Sequence, residues 1–396
     1  MDSARRNVFL LACSQALLLT NAVTLVAVSS LVGYAIAPSK ALATLPATIY
    51  VIGVAITAFP ASMWMKRVGR RNGFLSGTAF GILGAIAATL AVARADFTLF
   101  CASMLALGAY NAFGQYYRFA AADAASAEFK PKAISYVLAG GLAGGIIGPE
   151  VSRHTRGLAQ PEYLATFASL IVFCVVAMAI VSRLRIPESI DAAGGAPPRS
   201  FGEIARQPGF LVAVGVAALG YAVMNLLMTA TPLAMGFCGH PYDAAAIVLS
   251  SHVVGMFAPS FFTGSLIKRF GVLRVILAGV VILAACVGVA LSGQAVANFW
   301  WALVLLGIGW NFTYIGGSTL LTEVYRPSEK AKVQGANEIT IFGVQALSSL
   351  AAGVLVNTAG WQTLNYVALP LIAFAAAASL WLLAMRRRNP AAPSAP

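Results

Sequence analysis

Charge is what this chain has least of. Only 10% of its 396 residues are Asp, Glu, Lys or Arg, while 59% are hydrophobic, and the mean hydropathy is +0.82. A soluble domain carries about a quarter of its residues as charges, so that class is excluded. Acidic residues number 13 and histidines 3, scattered along the chain, which leaves no clustered carboxylate or imidazole set for a hydrolytic metal. Cysteine is scarce too. Cys13, Cys101, Cys174, Cys238 and Cys286 contain no C-x-x-C pair, so neither a disulfide framework nor a zinc knuckle is implied. With no nucleophile–base constellation either, the chain is not expected to be an enzyme.

What the sequence has instead is apolar length. Uninterrupted stretches recur from end to end, each long enough to cross a ~30 Å hydrocarbon core as a helix. Twelve spans are expected, over about 8–36, 41–65, 73–93, 97–122, 133–152, 163–183, 209–236, 243–267, 275–294, 297–322, 333–357 and 363–385. Lipid cannot satisfy free backbone groups, and the ~10-residue alternation of a barrel is missing, so these stretches must be helices. Arg5 and Arg6 before an apolar run imitate a signal peptide. The run is about twice the usual apolar core of a signal and no convincing A-x-A cleavage site follows, so it reads as the first span.

The net charge of +13 becomes informative once the charges are placed. Lys40, Arg94, Arg153 and Arg156 fall in odd-numbered loops and Arg118 late in the fourth span. The remaining Lys and Arg lie at the termini or in even-numbered loops, among them Lys66, Arg67, Arg70, Arg71, Lys268, Arg269, Arg274, Arg386, Arg387 and Arg388. By the positive-inside rule both termini are cytoplasmic, and the basic excess marks topology rather than a nucleic-acid partner.

The longest polar break, 184–206, holds Gly194, Gly195, Pro197, Pro198, Glu203 and Arg206 and has the composition of a linker. The expected division is an N-terminal six-helix bundle over 1–183, a cytoplasmic linker over 184–208, a C-terminal six-helix bundle over 209–385 and a tail over 386–396. The halves repeat at loop level. Lys66-Arg67-Val68-Gly69 corresponds to Lys268-Arg269-Phe270-Gly271, and Asn111, Asp123, Lys130 and Lys132 correspond to Asn311, Glu323, Lys330 and Lys332 at one offset of 200 residues.

Twelve spans, a central linker and repeated basic loops resemble the major facilitator superfamily over essentially the whole chain. That family's loop signature is G-x-x-x-D-[RK]-x-G-R-[RK]. Arg67, Gly69, Arg70 and Arg71 match in the first copy, and Gly264, Arg269 and Gly271 in the second. Ser62 replaces the leading Gly, while Lys66 and Lys268 stand where the family has Asp. The resemblance implies an all-α fold of two pseudo-symmetric bundles, with Lys66, Arg67, Gly69, Arg70, Lys268, Arg269 and Gly271 in gating loops. Gly144-Gly-Ile-Ile-Gly148-Pro149 resembles the G-x-x-x-G-P of proton-coupled drug antiporters; close helix packing is the competing explanation of such spacing.

Two further patterns lie in neighbouring spans, Met224-x-x-x-Met228 and His252-x-x-x-Met256. Residues at i and i+4 share a helix face. Counted from the loop between them, Met228 and His252 lie about nine residues deep, and Met224 and Met256 about 13. At 1.5 Å per residue this is ~13–20 Å, near the bilayer midplane where carriers hold solute. Three thioethers and one neutral imidazole form a soft, uncharged set suited to Cu(I). Core packing by methionine is the competing reading.

The pair of patterns and their 28-residue separation resemble CcoA-type copper importers, a branch of the same superfamily. That resemblance implies a bacterial inner-membrane importer, supplying copper for cytochrome oxidase assembly, with Met224, Met228, His252 and Met256 as ligands. It implies copper as substrate with no permanently bound cofactor, and leaves copper chaperones unidentified; a monomer is expected. Met235, Cys238 and His240, in the loop between these spans, are candidate entry ligands. Met63 and Met65, at i and i+2, point to different faces and make a poor exit pair. Glu338, early in the eleventh span, is a candidate for proton coupling, because intramembrane carboxylates often relay protons; Glu150 lies late in the fifth. The alternative function is a proton-coupled exporter of small organic compounds.

Overall fold

The computed structural model describes residues 3–39, 42–186 and 198–388, and all regular structure among them is helical. The helices are α1 (Ser3–Ile36), α2 (Leu45–Arg94), α3 (Phe97–Gly114), α4 (Tyr117–Asp123), α5 (Lys130–Thr155), α6 (Leu164–Val181), α7 (Phe201–Ala205), α8 (Pro208–Phe237), α9 (Tyr242–Phe257), α10 (Ser260–Phe270), α11 (Val272–Ser292), α12 (Val296–Leu321), α13 (Lys330–Thr358) and α14 (Gly360–Arg388). A 3₁₀ turn, Pro327–Glu329, leads into α13.

Among the described residues, eleven helical segments are long and apolar enough to cross a membrane, one of them the 50-residue α2. Gly69 interrupts α2 at φ 80°, ψ 161°, a backbone region that a Cβ disfavours. It thereby divides α2 into two spans. The twelve expected spans are present, with α3–α4 and α9–α10 each making one. Gly271, between α10 and α11, has φ 88° and ψ 151°, so the sequence repeat is also a repeat of backbone geometry.

The chain forms two compact units, residues 1–125 with 140–188, and residues 126–139 with 189–396. In the first, α2 pairs with α3 and α6, and α1 lies against α6. The second half of α5 approaches the α1 backbone through Gly140, Gly144 and Gly148. A Cβ at Gly144 would lie 2.8 Å from both Leu19 Cβ and the Thr20 nitrogen, and the Thr24 hydroxyl donates to the Gly148 carbonyl at 3.0 Å. The glycine spacing before Pro149 therefore serves close helix contact.

In the second unit α12 is the central post, flanked by α8, α9 and α11, with α13 and α14 against α8. Residues 126–139 are tied in through Ser135, whose hydroxyl donates to the Ser260 carbonyl and accepts the Gly264 N–H at 3.0 Å. Of the expected linker, residues 187–197 lie outside the described residues, as do Lys40 and the 389–396 part of the tail. The described end of the linker is anchored. Arg199 donates through Nη2 and Nε to the two Glu329 oxygens at 2.6 and 2.8 Å, through its amide to Glu329 at 2.8 Å, and through Nη2 to the Val324 carbonyl at 2.9 Å. Ser200 and Glu203 then form a capping box that starts α7.

Candidate functional site

The second unit holds the four candidate ligands read from the sequence. Met224, His252 and Met256 are buried and Met228 is half-buried. His252 Nδ1 is 2.8 Å from the Leu303 carbonyl of α12. A carbonyl only accepts, so Nδ1 carries the proton and Nε2 keeps its lone pair. That Nε2 is buried with no hydrogen-bond partner. Met256 lies on the same flank of α12. A Cβ at Gly307 would meet the His252 carbonyl and Met256 nitrogen at 2.6 and 2.7 Å, and the Met256 carbonyl accepts from Asn311 Nδ2 at 2.6 Å. Helices α8 and α9 touch each other little, and each lies along α12. The His-Met pair is thus set against α12, while Met224 and Met228 occupy a stripe of α8 that begins at Tyr221.

At that stripe stands a group of rings that sequence reasoning missed. Trp310 and Tyr314, one turn apart on α12, are stacked with centroids 4.7 Å apart and planes inclined by 18°. Tyr221 of α8 meets both edge-to-face at 5.5 Å, and Phe257 of α9 meets Trp310 at 5.8 Å. Trp310 is 2% exposed, and its Nε1–H has no acceptor. The available signal was an aromatic pair at i and i+4 in mid-span. Nothing in the sequence indicates that Tyr221, from another helix, completes the group.

Amides bracket these rings. Asn311 Nδ2 also donates to Ser260 Oγ at 2.6 Å, and its Oδ1 accepts from Thr263 at 2.7 Å. Asn225 Nδ2 reaches Gln345 O, Ser348 Oγ and Ser349 Oγ of α13 at 3.1, 3.1 and 2.7 Å. Further along α13, Glu338 is fully buried and its Oε1 accepts from Asn337 Nδ2 at 2.7 Å.

The candidate entry residues divide. Met235 is fully buried. Cys238 Sγ and His240 Nε2 instead converge on Gln294, at 3.5 Å from its side-chain oxygen and 2.7 Å from its carbonyl. Of the gating-loop residues, Lys66, Arg67, Lys268, Arg269 and Gly271 are exposed, Gly69 is half-buried and Arg70 is buried. Arg70 finds its acid not within the loop but at the end of α4. Its Nε and Nη2 are each 3.1 Å from Asp123 Oδ2, and its Nη1 reaches Met65 Sδ at 3.8 Å. In the second unit Lys268 pairs with Glu128 at 3.3 Å, and Glu323, the counterpart of Asp123, pairs with Arg386 at 3.0 Å. Glu150 is exposed, within 3.6 Å of Arg153 and 3.4 Å of His154. It lies beside an open cavity of about 690 Å³ lined in part by Pro149, Arg153, His154, Arg156 and Tyr163, remote in sequence and unit from the α8–α12 rings.

Two repeat-related units of membrane-spanning helices, with aromatic rings and hydrogen-bonded amides at mid-span, define a multi-pass solute carrier. The chain belongs to the Major Facilitator Superfamily, whose sequence profile matches residues 9–242 and again 216–396. It is similar to the riboflavin transporter RfnT of Brucella anthropi, with 38% identity over 378 residues covering 94% of each chain. It is also similar to the uncharacterized MFS-type transporter YdeG of Bacillus subtilis, with 31% identity over 348 residues covering 83% of this chain and 80% of that one. Among solved structures, FucP in its outward conformation superposes with a TM-score of 0.78 at 17% identity, covering 96% of this chain and 99% of that one. A bacterial homologue of the iron transporter ferroportin gives 0.73 at 13%, covering 96% and 99%. At such identities these likenesses establish the fold alone. None of these relatives supports the finer expectation of a CcoA-type copper importer.

Proposed function

We propose that the chain carries a small, planar, uncharged organic solute of the flavin class across a bacterial inner membrane by alternating access. The observation that carries this reading is the 38% identity, spanning 94% of both chains, to a protein named as a riboflavin transporter. The mid-span chemistry supports it. Tyr221, Trp310, Tyr314 and Phe257 offer aromatic surface, and stacking on such rings suits a fused heterocycle. The sorting of Lys and Arg into even-numbered loops supports cytoplasmic termini, and buried Glu338 is the carboxylate best suited to couple flux to protons. Accumulation of radiolabelled riboflavin in cells with and without the protein tests this function. A difference in either direction supports the reading; identical levels at equal membrane expression contradict it.

Copper remains a second reading because of one observation, the buried His252 Nε2 lone pair fixed in place by the Leu303 carbonyl. A ring held through its other nitrogen is the usual arrangement of a metal-binding histidine. On that reading Met224, Met228 and Met256 complete a soft site. Cu(I) and Ag(I), but not Zn(II), would then compete for uptake, and the Met224→Leu, Met228→Leu double variant would lose it. Normal copper uptake by that variant would remove this reading.

A further inference from the structure

We infer that Tyr221, Trp310 and Tyr314 form the ring-binding surface of the solute site, with the Trp310 indole N–H as its polar anchor; this rests on the flavin-class reading. The rings sit at a close approach of α8 and α12. Gly220 lies against Thr313, with a would-be Cβ 3.1 Å from the Thr313 Cβ, and Gly317 lies against Ala213 and Ala217. That contact fixes the height of Tyr221 beside the Trp310–Tyr314 stack. Residues 222–227 of α8 are all buried, whereas Tyr221 and Met228 at either end of that stretch are half-exposed. Tyr221 is therefore the member of the ring group that an arriving solute meets first.

The orphaned donor points the same way. Trp310 Nε1 has no acceptor although the side chain is only 2% exposed, and a buried donor without a partner is costly. A phenylalanine would supply packing surface at that position without the penalty. An acceptor that arrives with the solute, such as a ring carbonyl of a flavin, gives the indole a reason to be there. Met224 and Met228, at i+3 and i+7 from Tyr221, continue the same face of α8. Their polarizable sulfurs favour contact with an aromatic solute, which gives the methionine spacing a role that needs no metal.

The test is a riboflavin fluorescence-quenching titration on the purified full chain in detergent, with each variant checked for a monodisperse profile. Trp310→Phe keeps a ring and removes the N–H, and is expected to weaken riboflavin binding about five- to tenfold. It should leave unchanged the binding of an anthracene-based probe, which has three fused rings but no ring carbonyl. Tyr221→Leu is expected to weaken both ligands about tenfold, and Tyr221→Phe to restore them. Trp301→Phe, at an exposed position on the same helix, should match the unsubstituted chain. Equal weakening of riboflavin and the anthracene probe by Trp310→Phe would overturn the anchor. Riboflavin binding unmoved by both Trp310→Phe and Tyr221→Leu would overturn the assignment while leaving the flavin reading intact. No riboflavin binding by the unsubstituted chain would overturn both.

Discussion

Replacing Gly144 by valine probes the packing of α5 on α1. The smallest side chain would put a Cβ 2.8 Å from Leu19 Cβ and 2.8 Å from the Thr20 nitrogen, as well as against the Ala16 carbonyl. Two of these three obstacles are backbone, which no rotamer change can remove, so the helices must separate. Overpacking of this kind costs about 1–3 kcal/mol. Separation also stretches the 3.0 Å bond from Thr24 to the Gly148 carbonyl, worth about 1 kcal/mol more. Gly353 of α13 is the internal control, because a Cβ there meets nothing within 4 Å and alanine favours helix by up to about 1 kcal/mol. Thermal unfolding of the purified protein in detergent should show a clearly lowered midpoint for Gly144→Val, a smaller drop for Gly144→Ala, and none for Gly353→Ala. An unchanged midpoint for Gly144→Val would refute the packing account and return the Gly144–Pro149 segment to consideration as a functional motif.

Two further predictions concern ion pairs. Asp123→Asn should destabilise the protein by about 1–3 kcal/mol, because the side chain of its partner Arg70 is only 7% exposed and leaving a largely buried charge short of its partner is costly. Lys268→Gln, whose pair with Glu128 is 51% and 83% exposed, should cost under about 0.5 kcal/mol; unfolding midpoints of the two variants, measured side by side, check the order. Arg199→Gln removes the guanidinium from the fully buried Glu329 side chain, at a cost of about 1.5–3 kcal/mol. Faster amide exchange over 198–206 in that variant would report release of the linker end, and an unchanged exchange pattern would show that α7 is held by other contacts.

The capping box offers a pH test. Hydrogen bonds from the Ser200 hydroxyl and amide hold the Glu203 carboxyl below its ordinary value. A lowered carboxyl contributes stability above its unfolded value of 4.5 and loses that contribution as pH falls through the lower folded value. Exchange at α7 should therefore rise only below the ordinary glutamate range, and a rise beginning above pH 5 would contradict this.

The spans were legible because lipid leaves an apolar run one regular solution, and the loop repeat Lys-Arg-x-Gly anticipated the shared backbone of Gly69 and Gly271. The small-residue contact of α5 was equally readable from its spacing. Azimuth was not legible. Met228 and His252 could be assigned equal depth by counting, but helices that are apolar all round carry no moment to say which face meets which neighbour. The structure turns His252 Nδ1 toward the Leu303 carbonyl of α12, an orientation that counting along the chain does not give. The ring group was hidden for the same reason, since Tyr221 and Trp310 belong to spans separated by two others. The expected acid of the loop signature was missing at Lys66, yet Asp123 supplies it from α4, a substitution in space that a linear motif cannot record.

Riboflavin flux in vesicles bears most directly on the central claim. Purified protein, reconstituted into liposomes preloaded with riboflavin, should release it faster than protein-free liposomes. Excess unlabelled flavin outside should accelerate exchange of labelled flavin, and Cu(I) should leave it unaffected. Release no faster than from protein-free liposomes, from a preparation that remains folded and inserted, would contradict the account.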